Sequence, residues 1–161
     1  MKKYSLIIIG INLTILLLYF NYSVFKKEEI LKTGETIFLK LAPVDPRSLM
    51  QGDYMNLRYE LSNDINITSL SSRGYCVVKI DEKGIAHLIR FQKEKQPLKK
   101  DEQLIAYTSP DKFQLNIGAE SYFFQEGKAE TYEQAIFGGL KVDKQGNSLL
   151  IGLYDKNLKK L

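Results

Sequence analysis

The chain opens with a run that shows no polar alternation. Tyr4 to Phe25 is 22 residues without a charge, bounded by Lys3 and Lys26. As a helix rising about 1.5 Å per residue it would reach about 33 Å, close to the thickness of a bilayer's hydrocarbon layer. Thirteen of these residues are Leu, Ile, Val or Phe. Each contributes about 0.3–0.6 kcal/mol to insertion, which together outweighs the cost of Asn12. Tyr4 at one end and Tyr19, Phe20, Tyr22 and Phe25 at the other suit interfacial aromatic belts. The pattern predicts a transmembrane anchor over 4–25 behind a short tail, residues 1–3. A cleaved leader is the competing reading, but Phe20 to Phe25 offers no small-x-small cleavage site. The expectation is an uncleaved signal-anchor in the cell (inner) membrane, single-pass, with the bulk of the chain extracytoplasmic. Lys2 and Lys3 on one side and Lys26 and Lys27 on the other leave the positive-inside rule nearly balanced. Gly10 and Thr14, four apart, have a small-xxx-small spacing, with Asn12 as a polar contact, and are the candidate helix-packing residues.

Beyond a polar stalk, residues 26–34, the period changes to two. Ile37, Leu39 and Leu41 share one face, as do Met55, Leu57, Tyr59 and Leu61 in a predicted strand over Tyr54–Leu61. Gly74–Ile80 and Ile85–Phe91 flank Asp81-Glu82-Lys83-Gly84, and Leu140–Val142 and Ser148–Leu153 flank Asp143-Lys144-Gln145-Gly146. Asp first and Gly fourth suit hairpins built on type I turns. Lys79, Asp81, Gly84, Leu88 and Ile89 match Lys141, Asp143, Gly146, Leu150 and Ile151; shared turn chemistry accounts for these matches without a duplication. Further strands are predicted at Gln103–Thr108, Lys112–Ile117 and Ser121–Phe124. A helix is predicted over Lys128–Phe137, stopped by Gly138-Gly139. Lys93–Lys100 reads as an exposed loop. The fold expected over residues 35–154 is mainly β, an all-β barrel or sandwich with one short helix, followed by a basic tail, 155–161, that frays.

Composition narrows the chemistry. With 161 residues, 44% of them apolar, the chain can hold one modest domain plus an appended element. One cysteine excludes an intramolecular disulfide and any paired-cysteine zinc site. A net charge of +4, spread along the chain, gives no footprint for nucleic acid.

The densest cluster of unusual residues runs from Pro43 to Tyr59 and contains Asp45-Pro46-Arg47 and Gly52-Asp53-Tyr54-x-x-Leu57-x-Tyr59. The second run resembles the signature of the GDYXXLXY family of membrane-anchored bacterial proteins, and Asp45-Pro46-Arg47 resembles its lead-in. Tyr122-Phe123-Phe124-Gln125-Glu126-Gly127, Leu140-Lys141-Val142-Asp143 and Leu150-Ile151-Gly152-Leu153 carry the likeness into the C-terminal part. The resemblance implies a single-pass anchor and association with polytopic membrane proteins; it implies no activity. The residues also have an architectural account. Pro43 and Pro46 disfavour helix, Gly52 opens a turn that Asp53 seals, and Leu57 and Tyr59 face inward. In the functional reading Asp45, Arg47 and Asp53 surround a polar pocket or a partner contact, since loops on a rigid sheet carry recognition.

Three constellations of residues could catalyse or ligate. Ser48-Leu49-Met50-Gln51-Gly52-Asp53 superficially resembles the serine box of signal peptidases, but the spacing is about half and the proline after the serine is missing. Cys76 and the single histidine, His87, would be diagonal neighbours if Ile80 pairs with Ile85, although a bulge would change the faces. Asp45, Asp53, Glu126 and Asp143 are candidate carboxylates for calcium or for acid–base work, but they lack a calcium-loop spacing, and only folding could pair them for acid–base work. The expected function is therefore an accessory or interaction module, leaning away from an enzyme, with no metal and no cofactor. Its expected partners are the lipid bilayer and a polytopic membrane protein, with no nucleic acid. The alternative is a membrane-tethered hydrolase of the signal-peptidase kind, or a small-ligand binder using the Asp45–Tyr54 loop. The candidate motif residues are Asp45, Pro46, Arg47, Gly52, Asp53, Tyr54, Leu57, Tyr59, Glu126 and Gly127.

Overall fold

A computed structural model of the chain describes residues 2–42, 54–62, 70–110, 114–125 and 127–161. Helix α1 runs without a break from Lys2 to Thr33, so the predicted stalk is the last two turns of the same helix. Its apolar side chains face outward; Ile8 and Phe20 are 64% and 63% exposed. The window Ile7–Thr33 is long and apolar enough to cross a membrane. Thr14 and Asn21 donate to the carbonyls one turn back, Gly10 O at 2.9 Å and Leu17 O at 2.8 Å, which satisfies both polar groups within the helix.

The helix enters the β-domain through one residue. The Gly34 amide donates to Ile30 O at 2.9 Å, and β1 begins at Glu35. A Cβ at Gly34 would sit 2.5 Å from Ile30 O and 3.2 Å from the Val142 backbone, so this junction accepts glycine alone.

Among the described residues eight strands form three antiparallel sheets. β1 (Glu35–Lys40) pairs β7 (Phe137–Val142), which pairs β8 (Ser148–Tyr154). β3 (Arg73–Ile80) lies between β4 (Ala86–Gln92) and β5 (Glu102–Thr108). β2 (Tyr54–Asn56) pairs β6 (Ser121–Phe123). Among the described residues no continuous ladder closes the sheets into a barrel. Ile37 and Leu39 of β1, Cys76 and Val78 of β3, Ile105 of β5, and Leu140 and Leu153 of β7 and β8 meet in one fully buried cluster, the arrangement of a sandwich.

The two larger sheets repeat one design. In each, an Asp caps the turn: Asp81 Oδ1 accepts from the Lys83 and Ile85 amides, and Asp143 Oδ1 from those of Gln145 and Asn147, all at 2.8–2.9 Å. Gly84 and Gly146 take the left-handed position at φ 82° and 89°. Each hairpin also breaks register three residues before its Asp, at Val77/Val78 and Gly139/Leu140. Each turn glycine then accepts from the outer strand of the other sheet, Gly84 O from Phe38 N at 2.9 Å and Gly146 O from Ala106 N at 2.8 Å. The sequence echo therefore extends beyond the turns to the bulges and to the third strand, which turn chemistry alone does not require.

Several expectations need correction. The strand predicted over Tyr54–Leu61 pairs continuously only as far as Asn56, bridges once more at Tyr59 and ends in a 3₁₀ turn, Glu60–Ser62, yet Met55, Leu57, Tyr59 and Leu61 are all buried. The helix predicted over Lys128–Phe137 is one turn, α2 (Ala129–Tyr132). Gly138 and Gly139 stop no helix; they lie inside β7 under the rings of Tyr59 and Tyr154. Of the strand predicted at Lys112–Ile117, the described part contributes a single bridge, Asn116 to Thr108. The tail does not fray. Asp155 Oδ1 accepts from Asn157 and Lys159 in a third turn of the same kind, and Leu161 N donates to Leu153 O at 3.0 Å.

Candidate functional site

The described end of the motif is an architectural wedge. Leu57 N donates to Glu120 O at 2.6 Å, and Ala42 N donates to Arg58 O at 2.8 Å. These bonds fix the segment between the exit of β1 and the chain leading into β6. Tyr59 bridges Leu41 and, almost fully buried, donates its hydroxyl to Ala119 O at 2.6 Å. Burial, reinforced by the nearby Glu120 charge, pushes its phenol well above the usual range, so it serves as a donor and not as a base. The Glu120 carboxylate accepts from the amides of Ile117 and Gly118, tightening the bend that carries Ala119. Sequence reasoning missed Glu120; its signal was the Gly-Ala-Glu turn after Ile117.

A cleft of about 360 Å³ opens beside this wedge. Met55, Leu57, Ala42, Tyr132 and Ile136 supply apolar walls, and Lys40 and Glu60 form an ion pair of 3.2 Å at the rim. Tyr132 stands in an aromatic group with Tyr122 and Phe124, ring centroids 5.1 and 5.2 Å away. Burial, then the Tyr132 hydroxyl, pushes the Tyr122 phenol up to about 12. Such a cleft can hold an apolar side chain or small molecule oriented by the rim charges. The clustering of Tyr122 and Phe124 with Tyr132 was not anticipated, although their aromatic density was visible.

The predicted residues fare unequally. Asp45, Pro46, Arg47, Ser48, Gly52, Asp53 and Glu126 lie outside the described residues. The Tyr54 backbone pairs with Phe123 at the start of β2. Gly127 takes φ 82° ahead of α2, with open space where a Cβ would point. In the helix, Gly10 is likewise open and shares a face with Thr14, but Asn12, about 200° round from Gly10 at about 100° per residue, lies on the opposite side.

The Cys76–His87 pair is not assembled. The closing pair of the hairpin is Asp81/Ile85, one residue off the expected register, and Lys79 therefore faces His87. One residue of slip moves a side chain to the other face. His87 is exposed and sits 3.2 Å from Asp81, whereas Cys76 is fully buried, its thiol pushed up to about 12 by desolvation. Asp143 spends its carboxylate on its own turn, Oδ2 accepting from Asn147 Nδ2 at 2.7 Å. Among the described residues no group of three His, Cys, Asp or Glu side chains could hold a metal.

A long outward-facing apolar helix, joined through one glycine to an antiparallel domain that buries Leu57 and Tyr59, defines a helix-led β-protein organised round its motif strand. The chain belongs to the GDYXXLXY family, matching the family described as GDYXXLXY protein over residues 16–153. No curated relative and no solved structure matches the chain.

Proposed function

We propose that the protein is a single-pass membrane-anchored accessory module, presenting its β-domain outside the cytoplasm to a polytopic membrane protein. The observation that supports this reading is α1. Over Ile7–Thr33 none of the apolar window is buried against the domain, and a bare apolar surface of that length is stable only when lipid or another helix covers it. Gly10 and Thr14 offer a small-residue face for close approach by a partner helix, with the Thr14 hydroxyl already satisfied internally. A second reading, a small-ligand binder using the Asp45–Tyr54 loop, is favoured by the apolar cleft lined by Met55 and Leu57, which follow Tyr54 closely in the chain.

Two measurements test the proposal. A reporter fused after Leu161 is expected to be active only on the outer side of the membrane. Purification in mild detergent is expected to bring down a polytopic companion, and Gly10→Leu to weaken its recovery. A clean monomer, indifferent to Gly10→Leu, would overturn the accessory role.

A further inference from the structure

A cleft of about 710 Å³ lies in the angle between the last turns of α1 and the β7–β8 turn. Its walls are fixed. Lys141 Nζ donates to Gly34 O at 2.9 Å, and Gln103 Nε2 donates to Asp143 O at 3.3 Å. Gly34 holds the helix end against Val142, and Gly146 holds the turn against β5. Lys26 and Glu29 line the helix side, Glu35 the junction, and Lys144 the turn. Among the described residues Glu29, Glu35 and Lys144 enter no ion pair, and Lys26 rests only on the Tyr22 ring, 5.0 Å from its centroid. Two ammonium groups and two carboxylates thus line one cleft without neutralising one another, while a third carboxylate of the lining, Asp143, is held by the amides and the Asn147 side chain of its own turn.

The depth of this cleft follows from the helix. Phe25 is the last residue of the uncharged run and Lys26 the first residue of the wall. From Lys26 to Thr33 the helix climbs about 10 Å, somewhat more than the headgroup layer of one leaflet. We infer that the cleft binds a phospholipid headgroup carrying both a phosphate and a primary ammonium, that is, a phosphoethanolamine lipid. Lys26 and Lys144 take the phosphate, and Glu29 and Glu35 take the ammonium, through charge-assisted hydrogen bonds. A purely anionic headgroup gains little, because Glu29, Glu35 and Asp143 outnumber the two lysines. A phosphocholine headgroup has no N–H to donate. The inference rests on the membrane-anchored reading.

The test uses the full chain reconstituted in bilayers with equal amounts of phosphatidylethanolamine, phosphatidylcholine and phosphatidylglycerol, then extracted in mild detergent. Flotation of the proteoliposomes comes first; a chain that does not float overturns the anchored reading itself and this inference with it. For a chain that floats, mass spectrometry of the co-extracted lipid is expected to show several-fold enrichment of phosphatidylethanolamine. The enrichment should vanish in Glu35→Gln/Lys144→Gln and persist in Lys93→Gln, whose site lies outside the cleft. Equal retention of the three lipids, or a preference unchanged in the double variant, overturns the inference while leaving the anchor intact. Displacement of the retained lipid by an equal concentration of free phosphoethanolamine would also overturn it, in favour of a soluble ligand.

Discussion

The ring of Tyr59 lies against the backbone of Gly138, so close that a Cβ on Gly138 would stand 3.0 Å from Tyr59 Cε1 and 3.2 Å from its hydroxyl. The last residue of the motif is thereby joined to the central strand of the β1–β7–β8 sheet, and its hydroxyl to Ala119 beyond it. Tyr59→Phe keeps the ring and leaves the buried Ala119 carbonyl without its donor. Chemical denaturation of this variant is expected to show a loss of about 1–3 kcal/mol. Gly138→Ala drives a methyl into a ring that is almost fully buried and tethered through its hydroxyl to Ala119, and is expected to cost about 1–3 kcal/mol. Because both changes act on one contact, their combined effect should depart from the sum. An unperturbed Gly138→Ala would show that the ring is not seated there.

The turn glycines separate two effects that sequence alone merges. Both Gly84 and Gly146 take positive φ, so alanine is strained at either. Their surroundings differ. A Cβ at Gly84 would meet the Phe38 ring at 3.3 Å, and a side chain can yield; at Gly146 it would meet the Ala106 backbone nitrogen at 3.0 Å, and the strand cannot. Gly84→Ala is therefore expected to cost about 1 kcal/mol and Gly146→Ala clearly more. Thermal melts that rank them in the opposite order would contradict this packing.

These two glycines, and the pair in β7, show how far the sequence could be read. Alternation at Met55, Leu57, Tyr59 and Leu61 reported burial correctly, since side-chain direction follows the local backbone. It could not report that the ladder ends at Asn56, because the partner strand β6 is only three residues long. Asp and Gly at fixed spacing located both hairpins. The left-handed glycine, however, closes the loop at Asp81/Ile85 rather than Ile80/Ile85, and that single step carried His87 to the exposed face. Gly138-Gly139 looked like a helix stop because glycine's conformational freedom is what sequence rules score. Here glycine is present for its missing side chain, under the Tyr59 and Tyr154 rings that only the fold brings near. The tail offered no glycine at the turn position, where Leu158 adopts φ 58° instead, so a third Asp-capped turn went unread.

Cys76 supplies a test of the core. With its thiol fully buried and pushed up to about 12, almost no thiolate exists at neutral pH and no reagent reaches it. Alkylation of the folded protein is expected to be negligible over hours and to become complete within minutes in denaturant. Prompt modification of the native chain would mean that the β3–β5 face opens, or that Cys76 is a reactive residue after all.

One bidentate pair holds a carboxyl far below its ordinary range. Arg90 Nη1 and Nη2 donate to Glu102 Oε1 and Oε2 at 2.7 and 2.8 Å, and the Lys99 amide adds a third bond to Oε2 at 3.0 Å. Arg90 Nη2 also donates to Pro97 O at 2.9 Å, so the same guanidinium ties the Lys93–Lys100 loop to β4 and β5. The Arg90 hydrogen bonds first, then the Lys99 amide, hold the Glu102 carboxyl down to about 2, against an ordinary value of 4.5. The folded chain therefore binds this proton later than the unfolded chain does. The stabilisation is fully present above about pH 4.5 and is lost as the pH falls from there through about 2. Denaturant midpoints measured between about pH 6 and about pH 3 should fall for the parent chain. Glu102→Gln should start lower at neutral pH and fall less steeply. A residual slope remains, because Asp81 and Asp101 are also held below their usual range, Asp81 chiefly by the Ile85 amide and Asp101 chiefly by Lys79. If Glu102→Gln lost stability on acidification as steeply as its parent, the acid limb would belong to those aspartates and the Arg90 fork would be passive.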